Sequence, residues 1–126
     1  MYHSALTAAE LHDNKTQITQ EYISDVTVAF SRYTWAPEGY FGLVRIVGIL
    51  QGAIATADES ITLKDAVSTS TFATLLLAYT GSAAGTMFEN TYSTPVYTAH
   101  NELLLGGAGA STGTVGCNFF MVWAKD

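Results

Sequence analysis

The sequence predicts an all-β fold, in which one antiparallel β-sandwich or jelly-roll domain over residues 21–126 follows an extended N-terminal arm over residues 1–20. Short apolar or alternating segments recur along the chain with Gly- or Pro-containing turns between them, which is typical of sandwiches and jelly rolls. The chain has 126 residues and is 48% hydrophobic, which is enough for one core and argues against disorder over most of its length.

The arm is more polar than the rest of the chain and contains one local signal. Thr7 and Glu10 have the spacing of a capping box, in which the Thr side chain accepts a backbone N–H bond and the Glu side chain reaches back to the Thr N–H. This signal predicts one or two helical turns through Leu11, before a polar stretch. Two interpretations stay open from these residues, a frayed terminus or an arm that becomes ordered on a partner.

The β domain begins with an alternating segment, in which Val26, Val28 and Phe30 follow the period of a half-buried strand. The segment that follows, residues 33–39, contains aromatic residues and is predicted to form a loop, because Pro37 and Gly39 interrupt regular structure. The remaining predicted strands are 41–51, 60–64, 72–79, a short strand around 87–88, 102–105 and 114–125, with a small-residue turn at 81–85 and a flexible hairpin loop at 106–113.

Three of these strands, at 41–50, 72–79 and the chain's end, are apolar on both faces. Antiparallel sheets normally alternate apolar and polar residues because one face meets water. Since only 13% of the residues are charged, a second copy of the chain is the simplest cover for the extra apolar face. We therefore predict a homo-oligomer that associates through outward faces around Leu43, Val47, Phe119 and Trp123.

The charge balance argues against nucleic acid as a partner. The formal net charge is −6 and the five basic residues are scattered, whereas a phosphate backbone needs clustered Lys and Arg. No apolar run approaches the roughly 20 residues of a membrane-spanning helix, and the first residues lack the pattern of a secretory signal, so we expect no membrane association. The single cysteine, Cys117, is predicted to be a small core residue.

Catalytic and metal-binding motifs are missing from the sequence. His3, His12 and His100 are far apart and lack metal-ligand spacing, and no nucleophile or phosphate-binding motif occurs. Acidic residues near strand ends, such as Glu59 and Asp65, are expected to be solvated. We predict a protein that is not an enzyme and has no catalytic residue, metal, cofactor or small-molecule substrate.

Two loops are candidate recognition sites. Tyr33, Trp35 and Tyr40 form an aromatic group in the loop before the second predicted strand, and exposed rings combine large contact area with little side-chain entropy. The alternative is a loop whose rings pack inward over the end of the sandwich. The loop at 106–113 is either a mobile recognition tip or an ordinary hairpin loop.

Two stretches carry a resemblance to a known family. Residues 50–64 read as an apolar strand, a small-residue turn and an alternating strand, and residues 81–86 (Gly-Ser-Ala-Ala-Gly-Thr) supply a second small-residue turn. At this spacing they resemble the jelly-roll or β-sandwich domain of tailed-bacteriophage virion proteins, namely capsid decoration (cement) proteins and head-fibre or spike modules. The resemblance covers residues 39–124.

The resemblance implies a capsid decoration protein that binds the major capsid protein on the outer lattice as a trimer and stabilises the head. Such a protein is made in the host cytoplasm and resides on the capsid surface of the virion. Under this hypothesis the arm attaches to the capsid through Leu6, Leu11 and His12. The alternative is a receptor- or glycan-binding tip or spike module of a phage fibre or tail, although no heptad or fibrous repeat that would build a stalk is present.

Overall fold

A computed structural model describes residues 16–39 and 41–125 of the chain. Within these residues it shows one all-β domain of eight strands and no helix. The strands are β1 (Thr16–Ile23), β2 (Phe30–Trp35), β3 (Phe41–Leu50), β4 (Glu59–Asp65), β5 (Thr71–Leu77), β6 (Met87–Val96), β7 (Glu102–Gly107) and β8 (Cys117–Lys125). The predicted all-β class and single domain are confirmed for this part of the chain.

The strands form two antiparallel four-stranded sheets, consistent with the predicted β-sandwich. Sheet A has the order β1-β8-β3-β6, and sheet B has the order β2-β7-β4-β5. Consecutive strands alternate between the sheets except for β4 and β5, which are neighbours in sheet B. Apolar side chains from both sheets form one buried core, whose largest fully buried members include Trp123, Phe119, Ile61, Leu63 and Leu105.

The first strand begins earlier than the sequence indicated. β1 starts at Thr16 and pairs with β8 along its whole length, from Thr16 opposite Ala124 to Ile23 opposite Cys117. Residues 16–20, which the sequence analysis assigned to the arm, therefore belong to sheet A. Their alternation of Thr and Gln with a single Ile gives too weak an apolar signal to be recognised as a strand.

The alternating segment around Val26 and Val28 is a turn rather than a strand. The Asp25 carboxylate organises it, since its Oδ1 accepts hydrogen bonds from the Thr27 N–H at 2.9 Å and the Val115 N–H at 3.3 Å. Val26 is fully buried and Val28 is 54% exposed, so the two side chains do not share one face of a sheet. The turn thus ties the β1–β2 connection to the start of β8.

A β-bulge in β3 decides which of its side chains face the core. The pairing of β3 with β8 shifts between Leu43, opposite Trp123, and Arg45, opposite Val122, so that Val44 is an extra residue relative to β8. Such an extra residue reverses the alternation of side chains beyond it. Leu43 consequently faces the core, whereas Val47, four residues further along, faces outward.

The predicted outward placement of the oligomer residues is wrong for three of the four. Leu43, Phe119 and Trp123 are fully buried in the core, and Trp123 Nε1 donates a hydrogen bond to Thr19 Oγ1 at 2.9 Å. Val47 does face outward, but it is only 5% exposed. The prediction failed because β8 is apolar on both faces, which hides the inward direction, and because the bulge cannot be read from the pattern.

Polar side chains link the two sheets at both open sides of the sandwich. On one side, Thr34 Oγ1 of β2 donates to Glu21 Oε2 of β1 at 3.0 Å. On the other side, Asn90 Nδ2 of β6 donates to the Thr74 carbonyl of β5 at 3.0 Å. The Asn90 bond gives a partner to a backbone carbonyl of edge strand β5, and the Thr34 bond joins the side chains of the two edge strands β1 and β2.

The predicted loop at 106–113 begins later than expected, since residues 106–107 end β7, and residues 109–111 are anchored by a buried carboxylate. Glu59 is fully buried, and its Oε1 accepts hydrogen bonds from the N–H groups of Gly109 at 2.9 Å and Ala110 at 3.2 Å, while its Oε2 accepts one from Ser111 at 3.0 Å. The expectation that Glu59 is solvated is therefore wrong. A carboxylate that accepts three backbone N–H bonds is a strong local anchor, because bonds to charged acceptors are the stronger kind.

Candidate recognition surfaces

Tyr33 and Trp35 lie on β2 rather than in a loop, and both project from the outer face of sheet B. They are 58% and 55% exposed, so the alternative in which these two rings pack inward does not hold. The predicted loop is wrong at these positions because β2 continues to pair with β7 as far as Trp35 opposite Glu102. The remaining predicted site residues, Tyr40, Leu6, Leu11 and His12, lie outside the described residues.

The register of sheet B places rows of side chains beside the two rings. Leu104 of β7 is opposite Tyr33, and Lys64 of β4 follows in the same row. The next row along the strands holds only small residues, namely Ser31, Gly106 and Thr62. Tall side chains in one row and short ones in the next create a depression on this face.

That depression is a groove of about 430 Å³. Gly106 forms part of the floor and has no side chain to fill it. A Cβ atom at this position would lie 3.1 Å from the Phe30 carbonyl oxygen and 3.9 Å from Thr62 Oγ1. The groove is lined by Phe30, Ser31, Ser60, Thr62, Lys64, Thr69, Leu104, Gly106, Gly107 and Ala108.

The groove offers polar groups that the described part of the chain leaves unused. The hydroxyl groups of Ser31, Ser60 and Thr62 have no hydrogen-bond partner among residues 16–39 and 41–125. The Lys64 ammonium likewise makes no ion pair within those residues. The groove therefore presents hydroxyl groups and one cation to whatever lies in it.

Hydrogen bonds hold the strand that carries the rings. Arg32 Nη1 donates to the Tyr22 carbonyl of β1 at 3.2 Å and lies 3.5 Å from Glu21 Oε1. The same Glu21 carboxylate accepts the hydrogen bond from Thr34 Oγ1. Just after the strand, the Ala36 N–H donates to the Asn101 carbonyl at 2.9 Å. β2 is thus fixed on both of its sides, although it is an edge strand.

The outer face of sheet A is the second candidate surface, and we call it the apolar face. Cross-strand pairing brings its apolar side chains together as three pairs, Ile18 with Val122, Val47 with Phe120, and Ile49 with Met87. Ile18 is 63% exposed and Met87 is 50% exposed. The outward side chains of β8 on this face are Phe120 and Val122, in place of the predicted Phe119 and Trp123.

One ion pair supplies charge on the apolar face. Arg45 Nε lies 2.5 Å from Glu89 Oε2, and both side chains are 41% exposed. Exposed pairs of this kind contribute about 0–1 kcal/mol. Their main effect here is that the two charges neutralise one another beside Val47, which leaves the face without net charge from this pair.

The Asp65 carboxylate joins two loops rather than meeting solvent. It is 4% exposed and accepts hydrogen bonds from His100 Nδ1 at 3.0 Å, Val67 N–H at 2.8 Å and Ser68 N–H at 3.2 Å. The His100 bond lowers the pKa of Asp65 below its ordinary value of 3.8, and the two backbone bonds act in the same direction against the opposing effect of burial. The expectation that Asp65 is solvated is wrong.

Cys117 is fully buried, as predicted. Burial raises the pKa of its thiol to about 12, so the group stays protonated and unreactive at neutral pH. In the part of the chain that the structure describes, no three His, Cys, Asp or Glu side chains are grouped so as to hold a metal ion. No helix among those residues is long and apolar enough to cross a membrane.

Comparison of the chain with protein-family models and with curated proteins finds no match. Functional inference therefore depends on the two outer faces of the sandwich.

Sequence reasoning found the rings but missed the groove. The available signal for β2 was a period-two pattern that places two aromatic side chains on one face of a strand. One face carries Ser31, Tyr33 and Trp35, and the other carries Phe30, Arg32 and Thr34. No sequence signal could have found the groove, because most of its residues come from three strands, β2, β4 and β7, that meet only through the register of sheet B.

Proposed function

We propose that the chain is a phage capsid decoration (cement) protein, which binds the outer capsid lattice as a homo-oligomer, with a trimer as the expected form, and stabilises the head. The observation that carries the proposal is the apolar face. A sheet face with three apolar cross-strand pairs is the kind of surface that a subunit contact covers, since monomers rarely leave large apolar patches in water.

The strand order supports a jelly roll, which is the fold that the resemblance implies. A jelly roll has eight strands in two sheets and contains two Greek keys. In this chain β1 pairs with β8, β2 with β7, β3 with β6 and β4 with β5. The first half of the chain therefore runs antiparallel to the second half like one long hairpin that is rolled into two sheets.

The two stretches that carry the resemblance also touch one another. The Gly85 N–H donates to the Leu50 carbonyl at 2.7 Å, and the Leu50 N–H donates to the Thr86 carbonyl at 3.0 Å. The Ser82 hydroxyl accepts a bond from the Ile54 N–H at 3.1 Å. The end of β3 and the turn after β5 are therefore neighbours in the fold.

We place self-association on the apolar face, because Leu43, Phe119 and Trp123 lie in the core. The chain as a whole carries a net charge of −6, whereas the apolar face carries three apolar pairs, one neutralised ion pair and the uncharged polar side chains of Gln20, Tyr22, Asn118 and Thr91. Contact between copies through this face would bury apolar area without bringing unpaired charges together.

Attachment to the major capsid protein is proposed for the arm, with Leu6, Leu11 and His12 as contacts. Deletion of residues 1–15 leaves β1 intact from Thr16 onward. The shortened protein is expected to fold with a nearly unchanged melting temperature and to lose most of its binding to particles. If it decorated particles at full occupancy, attachment would instead run through the β domain.

The direct test of the decoration role is the position and copy number of the protein on the particle. A cryo-EM map of the phage is expected to show the domain repeated over the outer capsid lattice in contact with the major capsid protein. A few copies confined to the tail or to one vertex would overturn the lattice role.

A second candidate function is favoured by one observation, the exposure of Tyr33 and Trp35. In a receptor- or glycan-binding tip or spike module, the outer face of sheet B would make the contact. Purified protein is then expected to bind host cells and to lose that binding when both rings are replaced by Ala. Equal binding by the double variant would exclude this role for the rings.

A further inference from the structure

The outer face of sheet B has no part in the decoration role, yet it holds the two exposed rings. Tyr33 and Trp35 stand two residues apart on one face of β2, so their backbones lie about 7 Å apart. Both rings are more than half exposed. Large aromatic side chains usually bury their apolar area, and two adjacent exposed rings on a hydrogen-bonded strand form a stacking platform for a ligand.

The groove continues directly from this platform. Leu104, which is opposite Tyr33, lines the groove, and so does Ser31, which is two residues before Tyr33 on the same face of β2. From Trp35 to the row of Ser60, the platform and the groove together extend over about 20 Å along the strands. The surface is therefore long enough for a short chain of ligand units rather than for one small molecule.

The lining of this surface matches a sugar. A sugar ring has an apolar face of C–H groups that can stack on an aromatic ring. Its hydroxyl groups can exchange hydrogen bonds with those of Ser31, Ser60 and Thr62, which have no partner within residues 16–39 and 41–125. Lys64 is the one basic side chain among the described residues that line the groove, and a single cation is too little positive charge for a nucleic-acid backbone. A purely apolar partner would leave these hydroxyl groups without hydrogen bonds, which costs binding free energy.

We propose that the outer face of sheet B binds an oligosaccharide. One sugar ring stacks on Tyr33 or Trp35, and an adjoining sugar occupies the groove above Gly106, within reach of Thr62 and Lys64. The binding is noncovalent. The inference shares its surface with the second candidate function, and it depends neither on self-association through the apolar face nor on attachment through the arm.

The test is an array of bacterial polysaccharides and of plant and animal oligosaccharides, probed with the labelled full-length protein, with each hit measured by titration calorimetry. Tyr33→Ala and Trp35→Ala are each expected to weaken binding about ten- to hundredfold, by analogy with the loss of one aromatic ring that stacks on a nucleobase. Thr62→Tyr places a large side chain in the groove and is expected to abolish binding.

Two matched variants control for nonspecific effects. Tyr79→Ala removes a tyrosine that is 42% exposed elsewhere on the surface, and Thr74→Tyr adds the same ring as Thr62→Tyr at the paired position of β5, which does not line the groove. Both are expected to bind like the wild type, with circular dichroism confirming the fold of every variant.

The proposal is overturned if no carbohydrate binds above the level of the Tyr33→Ala/Trp35→Ala double variant, or if Thr62→Tyr leaves binding unchanged. The decoration role predicts that these variants keep their oligomeric state and their binding to particles. Failure of the sugar proposal is therefore distinguishable from failure of the decoration proposal.

Discussion

The buried Glu59 carboxylate is predicted to be the main anchor of residues 109–111, in the connection between β7 and β8. Glu59→Ala removes the acceptor of three backbone N–H groups, of which the Ser111 N–H is buried and the other two are partly buried. A buried donor without a partner costs about 1–3 kcal/mol, and the partly buried donors cost less because water can reach them. We expect Glu59→Ala to lower the free energy of unfolding by about 3–5 kcal/mol.

Glu59→Gln keeps the side-chain volume but removes the charge and one acceptor oxygen. It therefore shows how much of the Glu59→Ala effect comes from lost hydrogen bonding and how much from lost volume. Its single carbonyl oxygen can still accept from Gly109 and Ala110, but its amide then directs an N–H group at the Ser111 N–H. We expect a loss of about 1–3 kcal/mol for this variant. Glu38→Gln, at an exposed loop position, serves as the control and is expected to change stability by less than about 0.5 kcal/mol.

Urea denaturation measures the stabilities, and amide hydrogen exchange measures the protection of residues 109–111. The reasoning predicts the order wild type, Glu59→Gln, Glu59→Ala from most to least stable, with faster exchange at the three amides in both variants. A Glu59→Gln variant as stable as the Glu38→Gln control, with unchanged exchange at Ser111, would refute the anchor.

Three further predictions test the packing and the electrostatics of the domain. Trp123→Ala should cost about 3–5 kcal/mol in urea denaturation because the ring is fully buried, while Trp123→Phe should cost less, and a loss below about 1 kcal/mol for the Ala variant would contradict the core placement. Gly109→Ala should be more destabilising than Gly81→Ala: both glycines have a φ of +76°, but a Cβ at Gly109 would lie 2.4 Å from the Ala29 nitrogen, whereas Gly81 has no atom within 4 Å. Equal melting temperatures for these two variants would show that the close contact does not constrain the loop. Because the pKa of Asp65 is lowered in the folded state, its carboxylate stabilises the fold above about pH 3.8, and this contribution is lost as the pH falls further through the folded-state pKa. Asp65→Asn should therefore be less stable than the wild type at neutral pH and lose less stability on acidification below about pH 4, and parallel acid-unfolding curves would contradict this.

The sequence was sufficient for the fold class but not for the direction of its side chains. Apolar runs and Gly-containing turns located most of the strands, because these signals are local. The arm boundary failed at β1, whose polar residues form a strand through pairing with β8. The outward facing predicted for Leu43 failed, although that of Val47 held, because the bulge at Val44 arises from pairing between strands distant in sequence.

The candidate surfaces were predicted only in part. Tyr33 and Trp35 were recognised as unusual aromatic residues, yet their exposure depends on the pairing of β2 with β7. The partners of Glu59 and Asp65 were out of reach of sequence reasoning, since the Glu59 contacts are about fifty residues away and His100 is 35 residues from Asp65. Long-range contacts of this kind follow from the strand order.

The oligomeric state in solution tests the central claim, self-association through the apolar face, most directly. Sedimentation velocity at micromolar concentration is expected to show a trimer of the 13.5 kDa chain. Ile18→Lys/Met87→Lys, which places two cations at the exposed edges of the apolar face, is expected to give a monomer. The control Val67→Lys/Leu76→Lys changes two residues that are 60% and 55% exposed outside that face, and is expected to remain a trimer. A monomeric wild type, or an Ile18→Lys/Met87→Lys variant that sediments like the wild type, would contradict the account.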